Sequence, residues 1–309
     1  MLYDTIIVGG GPAGLTAAIY SIRAGKSVLL FERAVIGGQV AYTAMVDNYT
    51  GIKHIDGATL SSMMLEHAKS LGLEINYAEV IGLKLNEKIK KVITHKGTFE
   101  AKTIILCLGA SAKKLDIENE KKLLGKGVSY CATCDGNFFK GKNVAVVGGG
   151  STSLEDTIYL SSLAKKVFLI RRRNELNGEK ILCEKVLSLS NASKVEIIAS
   201  SAVEKIIGKD KLEKIVIKNL VDGSLKELDI DGMFIAIGRK PDTEMVFEKL
   251  NLDKNGYILT DEKMQTSVPG VYACGDVRAK QLRQIVTAVN DGAIASVNAN
   301  EYILNEFGG

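Results

Sequence analysis

Two stretches of the chain show the same order of apolar and polar positions: a short apolar run, a glycine-rich turn, a pattern of helical period and a second apolar run. In the first stretch, Thr5–Val8 is mostly apolar, apolar residues recur at helical spacing as far as Arg23, and Ser27–Phe31 follows. Short continuous apolar runs are typical of parallel strands that are buried on both faces. The stretch therefore predicts a strand–helix–strand unit at the start of the chain.

The turn in this first unit carries a dinucleotide-binding pattern. Gly9, Gly11 and Gly14 match GxGxxG, and Pro12 stands at the predicted helix start, where its missing N–H costs little. Glu32 ends the second run, about twenty residues beyond the glycines, where an acid would hold a ribose hydroxyl. The glycines would let the backbone approach a pyrophosphate at the helix N-terminus. The pattern predicts a dinucleotide site; an ordinary glycine-rich turn is the alternative.

The second stretch lies near the middle of the chain. Its predicted strands are Asn143–Val147 and Lys166–Ile170. Gly148 and Gly150 open the turn, and Ser153 takes the place of the third glycine. Serine is small enough to allow a helix and a strand to pack closely, so the turn still predicts a nucleotide site.

The end of the second strand in this stretch is basic instead of acidic, with Arg171, Arg172 and Arg173 in succession. An acid at that position would repel a 2′-phosphate, whereas arginine pairs with phosphate through two hydrogen bonds. The cluster therefore favours NADP over NAD at the second site. A solvated basic strand end is the alternative.

The positions of the two units predict how the domains are organised. One unit opens the chain and the other lies mid-chain, which indicates one domain split around another. Further strands are predicted within 91–105, within 195–233 and at Val271–Cys274, and a helix is predicted over Arg283–Phe307 that needs the N-terminal sheet to pack on. The expected fold is α/β, with two Rossmann-like three-layer domains. The first comprises residues 1–113 and 244–309, and the second, 114–243, is inserted into it.

Composition narrows the class of protein. The chain has 309 residues, of which 46% are hydrophobic and 25% charged, and its formal net charge is +4. This is the profile of a soluble globular protein. The lysines are scattered, so no nucleic-acid partner is expected. No apolar stretch approaches the ~20 residues of a membrane span, and the N-terminus lacks a signal-peptide pattern, so a cytoplasmic location is expected.

The segment SYCATCDGNFF places Cys131 and Cys134 two residues apart, directly before Asp135. Zinc ligands, a structural disulfide and a redox couple are the three possible interpretations. A structural zinc site needs four ligands, and the chain has no second cysteine pair, so no metal is expected. A CxxC disulfide closes too small a loop to stabilise much. The redox interpretation is favoured, because Asp135 would place a proton donor or acceptor beside the sulfurs.

The other cysteines stand singly, and Cys107 and Cys274 are expected in the core. Two nucleotide sites and a dithiol suggest an electron path. A nicotinamide hydride carries two electrons and a disulfide accepts two, so a flavin is a natural relay between them.

With these motifs, the chain resembles the low-molecular-weight thioredoxin reductases over essentially its full length. The motifs that carry the resemblance are GGGPAG at the start, GGQ at 37–39, NYTG at 48–51, CATCDG at 131–136, GGGST at 148–152, the arginine cluster, AIGRKP at 236–241, GVYACGDV at 270–277 and RQ at 283–284. CATCDG between two Rossmann motifs is highly specific. In lipoamide- and glutathione-reductase-like enzymes the cysteine pair follows the first glycine motif instead.

The resemblance implies cofactors, partners and roles for individual residues. It implies FAD held by Gly9, Gly11, Pro12, Ala13, Gly14, Glu32, Gly38, Gln39, Asn48, Gly109, Gly275, Asp276, Arg283, Gln284 and Ile285. It implies NADPH held by Gly148, Gly150, Ser151, Thr152, Arg171, Arg172, Arg173, Ile237 and Gly238. Cys134 would face the flavin, Cys131 would attack thioredoxin, and Asp135 would be the acid–base group. A homodimer is also implied.

The chain departs from the family pattern at several positions. Arg171 stands where a His is frequent, Asn177 where a further Arg is frequent, and Leu108 where a Thr is common. The alternatives are a related flavin reductase that is fed by ferredoxin, and the reductase of a peroxiredoxin or glutaredoxin-like partner. A nucleotide-binding regulator would leave CATCDG without a purpose.

The expected mechanism includes motion of the inserted domain. The dithiol and the nicotinamide both have to reach one flavin ring, yet both belong to that domain. Two orientations are therefore expected, with hinges near Ala112–Leu115 and Lys240–Glu244.

Overall fold

A computed structural model describes residues 1–43 and 46–308, which form two compact units. Unit 1 consists of Met1–Ser111 and Lys240–Gly309, and unit 2 consists of Ala112–Arg239. The predicted inserted domain, 114–243, lies a few residues further along the chain at both ends. The difference arises because both crossing segments are short strands that pair with each other, and such short strands leave no apolar run in the sequence.

The elements follow one another along the chain in three sections. The first section of unit 1 contains β1 (Leu2–Val8), α1 (Pro12–Arg23), β2 (Val28–Glu32), a 3-10 turn (Gly38–Tyr42), α2 (Gly57–Ser70), β3 (Glu74–Tyr77), β4 (Val80–Lys84), β5 (Lys90–Thr94), β6 (Gly97–Leu106) and β7 (Ala110–Ala112), the last of which crosses into unit 2. Unit 2 contains β8 (Val128–Ser129), α3 (Ala132–Asp135), a 3-10 turn (Gly136–Phe139), β9 (Asn143–Val147), α4 (Ser151–Leu163), β10 (Lys166–Ile170), α5 (Lys180–Asn191), β11 (Val195–Ile198), β12 (Ser201–Ile207), β13 (Lys214–Asn219), β14 (Leu225–Asp229), β15 (Gly232–Ile235) and β16 (Arg239–Pro241), which crosses back. The second section of unit 1 contains two 3-10 turns (Glu244–Val246 and Gly275–Val277), β17 (Val271–Ala273) and α6 (Ile285–Phe307).

The main sheet of unit 1 has the strand order β3-β2-β1-β6-β5-β4, and β17 pairs with β6. β1 is parallel to β2 and to β6, and β17 is parallel to the last residues of β6. The carboxyl ends of parallel strands meet at one edge of a sheet, which is where α/β proteins place their ligands. The turns that follow Val8, Leu106 and Ala273 therefore share one edge.

The final helix packs on the N-terminal part of unit 1, as its apolar period required. A Cβ atom at Gly292 of α6 would lie 2.2 Å from the carbonyl oxygen of Ala13 in α1, so the two helices cross in very close contact. The buried residues Ala295 and Ala299 belong to the same apolar cluster as Leu15. The C-terminal helix is thus packed against the first helix of the chain.

The start of α6 differs slightly from the expectation. The helix begins at Ile285 and not at Arg283, because Gln284 caps it. The Gln284 and Thr287 side chains each pair with the backbone of the other residue, which satisfies N–H groups that the first helical turn leaves free.

Unit 2 repeats the parallel arrangement on a smaller scale. Its main sheet has the order β11-β10-β9-β15-β8, and every pair in it is parallel. Strands β12, β13 and β14 form a separate antiparallel sheet. The predicted strands Asn143–Val147 and Lys166–Ile170 coincide with β9 and β10. The expected fold class is confirmed.

Over the part of the chain that the structure describes, we find no helix that is both long and apolar enough to cross a bilayer.

Candidate active site

The CxxC motif lies in unit 2, where β8 passes into the short helix α3. Cys131 and Cys134 are joined by a disulfide bond, with their Cα atoms 5.3 Å apart. Both residues are half-buried. The Cys134 N–H donates a hydrogen bond of 3.2 Å to the Cys131 sulfur, which places one sulfur at the helix start. The motif therefore holds a partly accessible disulfide that a reductant or a protein dithiol can approach.

Ser129 connects this disulfide to Asp135. Its buried hydroxyl accepts the Cys131 N–H at 3.0 Å and lies 2.6 Å from Oδ2 of Asp135, to which it donates. Our sequence analysis missed Ser129, although a hydroxyl two residues before a CxxC pair was visible. The serine fixes the acid relative to the backbone of Cys131.

The Asp135 carboxyl group occupies an environment that disfavours its charge. Its other oxygen, Oδ1, is buried and has no hydrogen-bond partner among the described residues. Burial raises the pKa of Asp135 above its ordinary value, and the hydrogen bond from Ser129 offsets part of the rise. A carboxyl group that holds its proton more tightly than usual can donate that proton to a departing thiolate at a pH where a surface acid is already ionised.

Close packing seats this motif on the second nucleotide unit. A Cβ atom at Gly136 would lie 2.9 Å from the Tyr159 ring and 3.0 Å from a Leu160 methyl group, both on α4. The glycine thus lets the CxxC segment lie directly against the helix that follows the second glycine turn. A larger residue would push the disulfide away from that helix.

The first glycine turn, at the carboxyl end of β1, is built for close approach. A Cβ atom at Gly9 would lie 2.2 Å from the Cys107 carbonyl oxygen, and one at Gly14 would lie 1.9 Å from the Gly9 carbonyl oxygen. At Gly11, the residue that caps α1, no atom of the described chain lies within 4 Å of such a Cβ. Gly9 and Gly14 are therefore needed for packing, while the space beside Gly11 is open to a phosphate group.

Glu32 lies beside this turn, as the spacing predicted. Its Oε2 atom accepts the Gly10 N–H at 2.8 Å, and its Oε1 atom accepts the Ala34 N–H at 2.8 Å. The carboxylate is thus fixed at the end of β2, next to the opening at Gly11, where a ribose would follow a pyrophosphate.

A second turn reaches the same place from the far end of the sequence. A Cβ atom at Gly275 would lie 3.0 Å from the Ala13 side chain, so the turn after β17 packs on the start of α1. The residues predicted to hold FAD are here separated by more than 250 positions in sequence, yet they contact each other.

Asp291 of α6 holds the Gly275 turn in place. This buried carboxylate accepts the Gly275 N–H at 3.1 Å, Nη1 of Arg278 at 3.1 Å and Nζ of Lys280 at 2.8 Å. Its pairing with two cations compensates for its burial. Sequence analysis did not single out Asp291, because nothing local distinguishes it from any other helical acid.

We predict that Asp291→Asn lowers the free energy of unfolding by about 3 kcal/mol, because it leaves Arg278 and Lys280 without their shared carboxylate. Denaturant unfolding measures the effect. Asp210→Asn, at an exposed position in a turn, is the control and should change stability by less than about 0.5 kcal/mol. Equal stabilities of the two variants would contradict the assigned role.

The remaining residues expected at the FAD site gather around these two turns. Gly38 approaches Gly11, with 3.6 Å between its would-be Cβ and the Gly11 Cα. The Asn48 amide donates to Oε1 of Gln284 at 3.1 Å. The Arg283 guanidinium lies 3.9 Å from the centre of the Tyr257 ring, and Nε of Arg283 donates to the Asp276 carbonyl at 3.3 Å.

Three further residues, Gln39, Gly109 and Ile285, were predicted for the FAD site. Gln39 lies in the 3-10 turn that begins at Gly38, and Ile285 begins α6. Gly109 follows β6 with φ +73°, a conformation that favours glycine. The structure thus supplies a glycine-lined cradle with an acid beside it, which fits a dinucleotide such as FAD.

The second glycine turn follows β9 in the same way. A Cβ atom at Gly148 would lie 2.4 Å from the Ala236 carbonyl oxygen, whereas the positions beside Gly149 and Gly150 have no atom of the described chain nearer than 4.0 Å. Ser153 is fully buried and donates to the Gly150 carbonyl at 2.7 Å. The serine therefore replaces the third glycine by bonding to the turn itself.

The rest of the predicted NADPH set follows β9 and β15 in sequence. Ser151 and Thr152 form the first turn of α4. Ile237 and Gly238 follow β15, and the Lys113 N–H donates to the Gly238 carbonyl at 3.0 Å. Because β9 and β15 are parallel, these residues and the glycine turn follow the carboxyl ends of neighbouring strands.

The structure separates the three arginines. Arg172 and Arg173 are exposed, but Arg171 is only 2% exposed. Nε of Arg171 donates to the Arg173 carbonyl at 2.9 Å, and both Nη atoms are buried with no hydrogen-bond partner among the described residues. Burial lowers the pKa of Arg171. Arg172 and Arg173 are thus accessible to a ligand, whereas Arg171 braces the loop from inside.

That loop closes back on the glycine turn. The Asn177 N–H donates to the Gly149 carbonyl at 3.3 Å, and the Glu179 N–H donates to the Ser151 hydroxyl at 3.3 Å. The exposed arginines therefore lie on a segment that is anchored beside the turn. Asn177 contributes its backbone here, at the position where an additional arginine was expected.

Two Rossmann-type units in one chain, one of which also carries a disulfide, define a nucleotide-dependent disulfide oxidoreductase. The family model for pyridine nucleotide-disulphide oxidoreductases matches residues 3–292, and the chain belongs to that family.

Individual relatives agree on a narrower group. The thioredoxin reductase of Listeria monocytogenes serovar 1/2a is 43% identical over 303 residues, which are 98% of this chain and 94% of that protein. The solved structure of thioredoxin reductase from Streptococcus pyogenes MGAS5005 is 41% identical and matches with a TM-score of 0.92, covering 98% of this chain and 99% of that one. A ferredoxin-flavin thioredoxin reductase from Clostridium acetobutylicum is 31% identical, with a TM-score of 0.54 and 99% of both chains covered. The resemblance to thioredoxin reductases is confirmed.

Proposed function

We propose that the chain is an NADPH-dependent thioredoxin reductase, which transfers two electrons from NADPH through FAD to the Cys131–Cys134 disulfide and on to oxidised thioredoxin. The observation that carries the proposal is the disulfide itself. It lies in the same compact unit as a glycine turn with two exposed arginines, and a carboxyl group with a raised pKa stands directly behind it. The nucleotide-binding turn, the disulfide and a proton donor for the thiols therefore all lie in one unit.

The residues of the chain divide the work of this reaction. FAD bound at the first glycine turn would supply the two-electron chemistry between the nicotinamide and the disulfide. Reduction of the disulfide breaks one S–S bond and needs two electrons and two protons. Asp135 holds a proton next to Cys134 and is oriented by Ser129. Cys134 is assigned as the thiol toward the flavin, and Cys131 as the thiol that attacks the thioredoxin disulfide.

Anaerobic titration with NADPH tests the proposal directly. The disulfide and the flavin each take up two electrons, so two equivalents should bleach the flavin absorbance fully, and oxidised thioredoxin should restore it. A protein that NADPH leaves yellow, but that reduced ferredoxin bleaches, would be the ferredoxin-dependent enzyme instead. Bleaching by NADPH with no recovery on adding thioredoxin, but recovery with a peroxiredoxin or glutaredoxin-like protein, would change the partner and keep the donor.

The arginines give a sharper test of the donor. Replacing Arg172 and Arg173 together with Ala should raise the KM for NADPH by about tenfold to a hundredfold, since each charge-assisted contact to the 2′-phosphate is lost. The KM for NADH, which has no such phosphate, should change little. Steady-state kinetics with both cofactors measure the difference.

Lys180→Ala is the matched control, because it removes an exposed cation at the start of α5, just beyond the anchored loop. It should leave the preference for NADPH intact. If the KM values for NADPH and NADH rise equally in the double arginine variant, the arginine cluster is not the 2′-phosphate site.

We also infer that unit 2 changes orientation during turnover. The disulfide and the second glycine turn both lie within Ala112–Arg239, so one rigid arrangement would not present each of them in turn to a single flavin. The crossing segments near Ala112–Leu115 and Lys240–Glu244 are the proposed hinges. A cross-link between the two units should stop multiple turnovers and leave one half-reaction intact. Unchanged steady-state rates after full cross-linking would exclude the motion.

A homodimer in the cytoplasm completes the proposal, as the resemblance implies. Light scattering on the purified holoprotein should give about twice the mass of one chain, and a monomeric mass would contradict the dimer.

A further inference from the structure

Two buried cysteines outside the CxxC motif face each other in unit 1. Strands β6 and β17 are parallel, with Val271 opposite Ile104 and Ala273 opposite Leu106. The next residue of each strand line is a cysteine, so this register sets Cys274 opposite Cys107. Their sulfur atoms are 3.2 Å apart, and neither residue is in a disulfide.

The spacing of paired strands is compatible with a disulfide between opposite residues. Adjacent strands are about 4.8 Å apart, which lies within the range of roughly 4.4–6.8 Å that disulfides span between Cα atoms. The two sulfurs would have to approach by about 1.2 Å to reach the S–S bond length. Rotation about the Cα–Cβ bonds is the movement that would bring the sulfurs together.

The two cysteines belong to different sections of the chain. Cys107 lies near the end of the first section of unit 1, Cys274 lies in the second section, and all of unit 2 is inserted between them. A bond between them would close a loop with a sequence separation of 167 residues. It would covalently tie together the two sections of a discontinuous unit, which otherwise cohere through noncovalent contacts.

The pair also lies between the turns assigned to FAD. The Cys107 carbonyl oxygen is the atom that excludes any side chain at Gly9, and Cys274 directly precedes Gly275. Formation of a disulfide would therefore alter the positions of both turns. That this would change FAD binding rests on the proposed function.

We propose that Cys107 and Cys274 form a second dithiol–disulfide pair, which a hydroperoxide oxidises and a small dithiol reduces. A Cys thiolate attacks the peroxide, the O–O bond breaks, and a sulfenic acid and water form. The second thiol then attacks the sulfenic sulfur, which forms the S–S bond and releases a second water. With hydrogen peroxide, two thiols and one peroxide give one disulfide and two waters, and the electrons balance.

Burial determines how this pair behaves. Cys107 is 8% exposed and Cys274 is fully buried, so peroxide reaches Cys107 first. Burial and the neighbouring Cys274 raise the pKa of Cys107 well above its ordinary value, which keeps its thiolate fraction small. The pair should therefore oxidise much more slowly than a reduced Cys131–Cys134 dithiol, and faster as the pH rises.

The test uses the full chain with Cys131, Cys134 and Cys183 replaced by Ser, which leaves only the two buried cysteines. Hydrogen peroxide should lower the thiol content measured after denaturation from two per chain to zero, and dithiothreitol should restore both. Peptide mapping should show Cys107 linked to Cys274. Closing so long a loop should raise the melting temperature by about 5–10 °C relative to the reduced form.

Adding Cys274→Ala to this background is the matched control. It should lose one thiol irreversibly, by oxidation beyond the sulfenic acid, and gain no thermal stability. If the triple variant folds poorly, peptide mapping of peroxide-treated wild-type protein replaces it.

The proposal is overturned if the two thiols survive peroxide that fully oxidises the reduced CxxC pair, or if each is oxidised singly without a cross-link. The thiol count and the mapping need no flavin, so they stand even if the chain binds none. A preparation that binds no flavin in either redox state would contradict the proposed function alone. A flavin affinity that differs between protein with the Cys107–Cys274 disulfide and protein with the two free thiols would show that the disulfide acts on the turns.

Discussion

Replacing either Cys131 or Cys134 with Ser is expected to reduce thioredoxin reduction to near background. Two thiols have to be present for a disulfide to accept two electrons and then pass them on, and one thiol cannot complete that cycle. NADPH should still bleach the flavin in both variants, because hydride transfer to the flavin uses no cysteine. Turnover with thioredoxin and anaerobic bleaching measure the two half-reactions separately.

The two cysteine variants should differ from each other in one respect. In Cys134→Ser, the remaining Cys131 should form a stable mixed disulfide with a thioredoxin that lacks its resolving cysteine. In Cys131→Ser, that adduct should be absent or much slower to form. Cys183→Ser is the control, since Cys183 is a free cysteine on α5, and it should retain full activity. An adduct that forms only through Cys134 would reverse the assigned roles.

Asp135→Asn is expected to lower thioredoxin reduction by about a hundredfold or more, the usual contribution of a positioned acid–base group. Asn keeps the shape of the side chain and removes its proton chemistry. Flavin reduction by NADPH should continue, so the loss should fall on the dithiol steps. Wild-type turnover in this variant would remove Asp135 from the mechanism.

The protonation of Asp135 should also be visible in the pH dependence of thioredoxin reduction. Burial raises the pKa of Asp135, so its protonated form persists to higher pH than in an ordinary aspartate. Steps that need this proton should be fast at low pH and slow down as the pH rises through the raised pKa. The contribution to stability has the same sign, because the folded state favours the protonated form and loses that advantage as the pH rises.

Ser129 allows this interpretation to be tested without removing the acid. Its hydrogen bond lowers the pKa of Asp135, so Ser129→Ala should move the descending limb of the pH profile to higher pH. Ser129→Thr keeps the hydroxyl and should leave the limb in place. A limb that stays fixed in Ser129→Ala would mean that it reports another group.

The local sequence pattern was enough to predict the Rossmann strands, the glycine turns and the CxxC pair. The short apolar runs gave β9 and β10 at their observed residues, because a buried strand needs an unbroken apolar stretch of that length. The glycines of the two turns were identifiable, since backbone that approaches backbone this closely excludes a Cβ atom. The CxxC pair was readable because its partners are three residues apart.

The tertiary structure decided what depends on residues far apart in sequence. Asp291 acquires its role from Gly275 and two cations that packing brings to it. Arg171 and Arg172 are neighbours of the same type, yet one is buried and the other exposed, because the Arg171 side chain turns inward and bonds to the Arg173 carbonyl. The cysteines at 107 and 274 were each expected in the core, but only the pairing of β6 with β17 sets them face to face. Periodicity encodes which residues are buried, whereas the fold of the whole chain determines which buried residues meet.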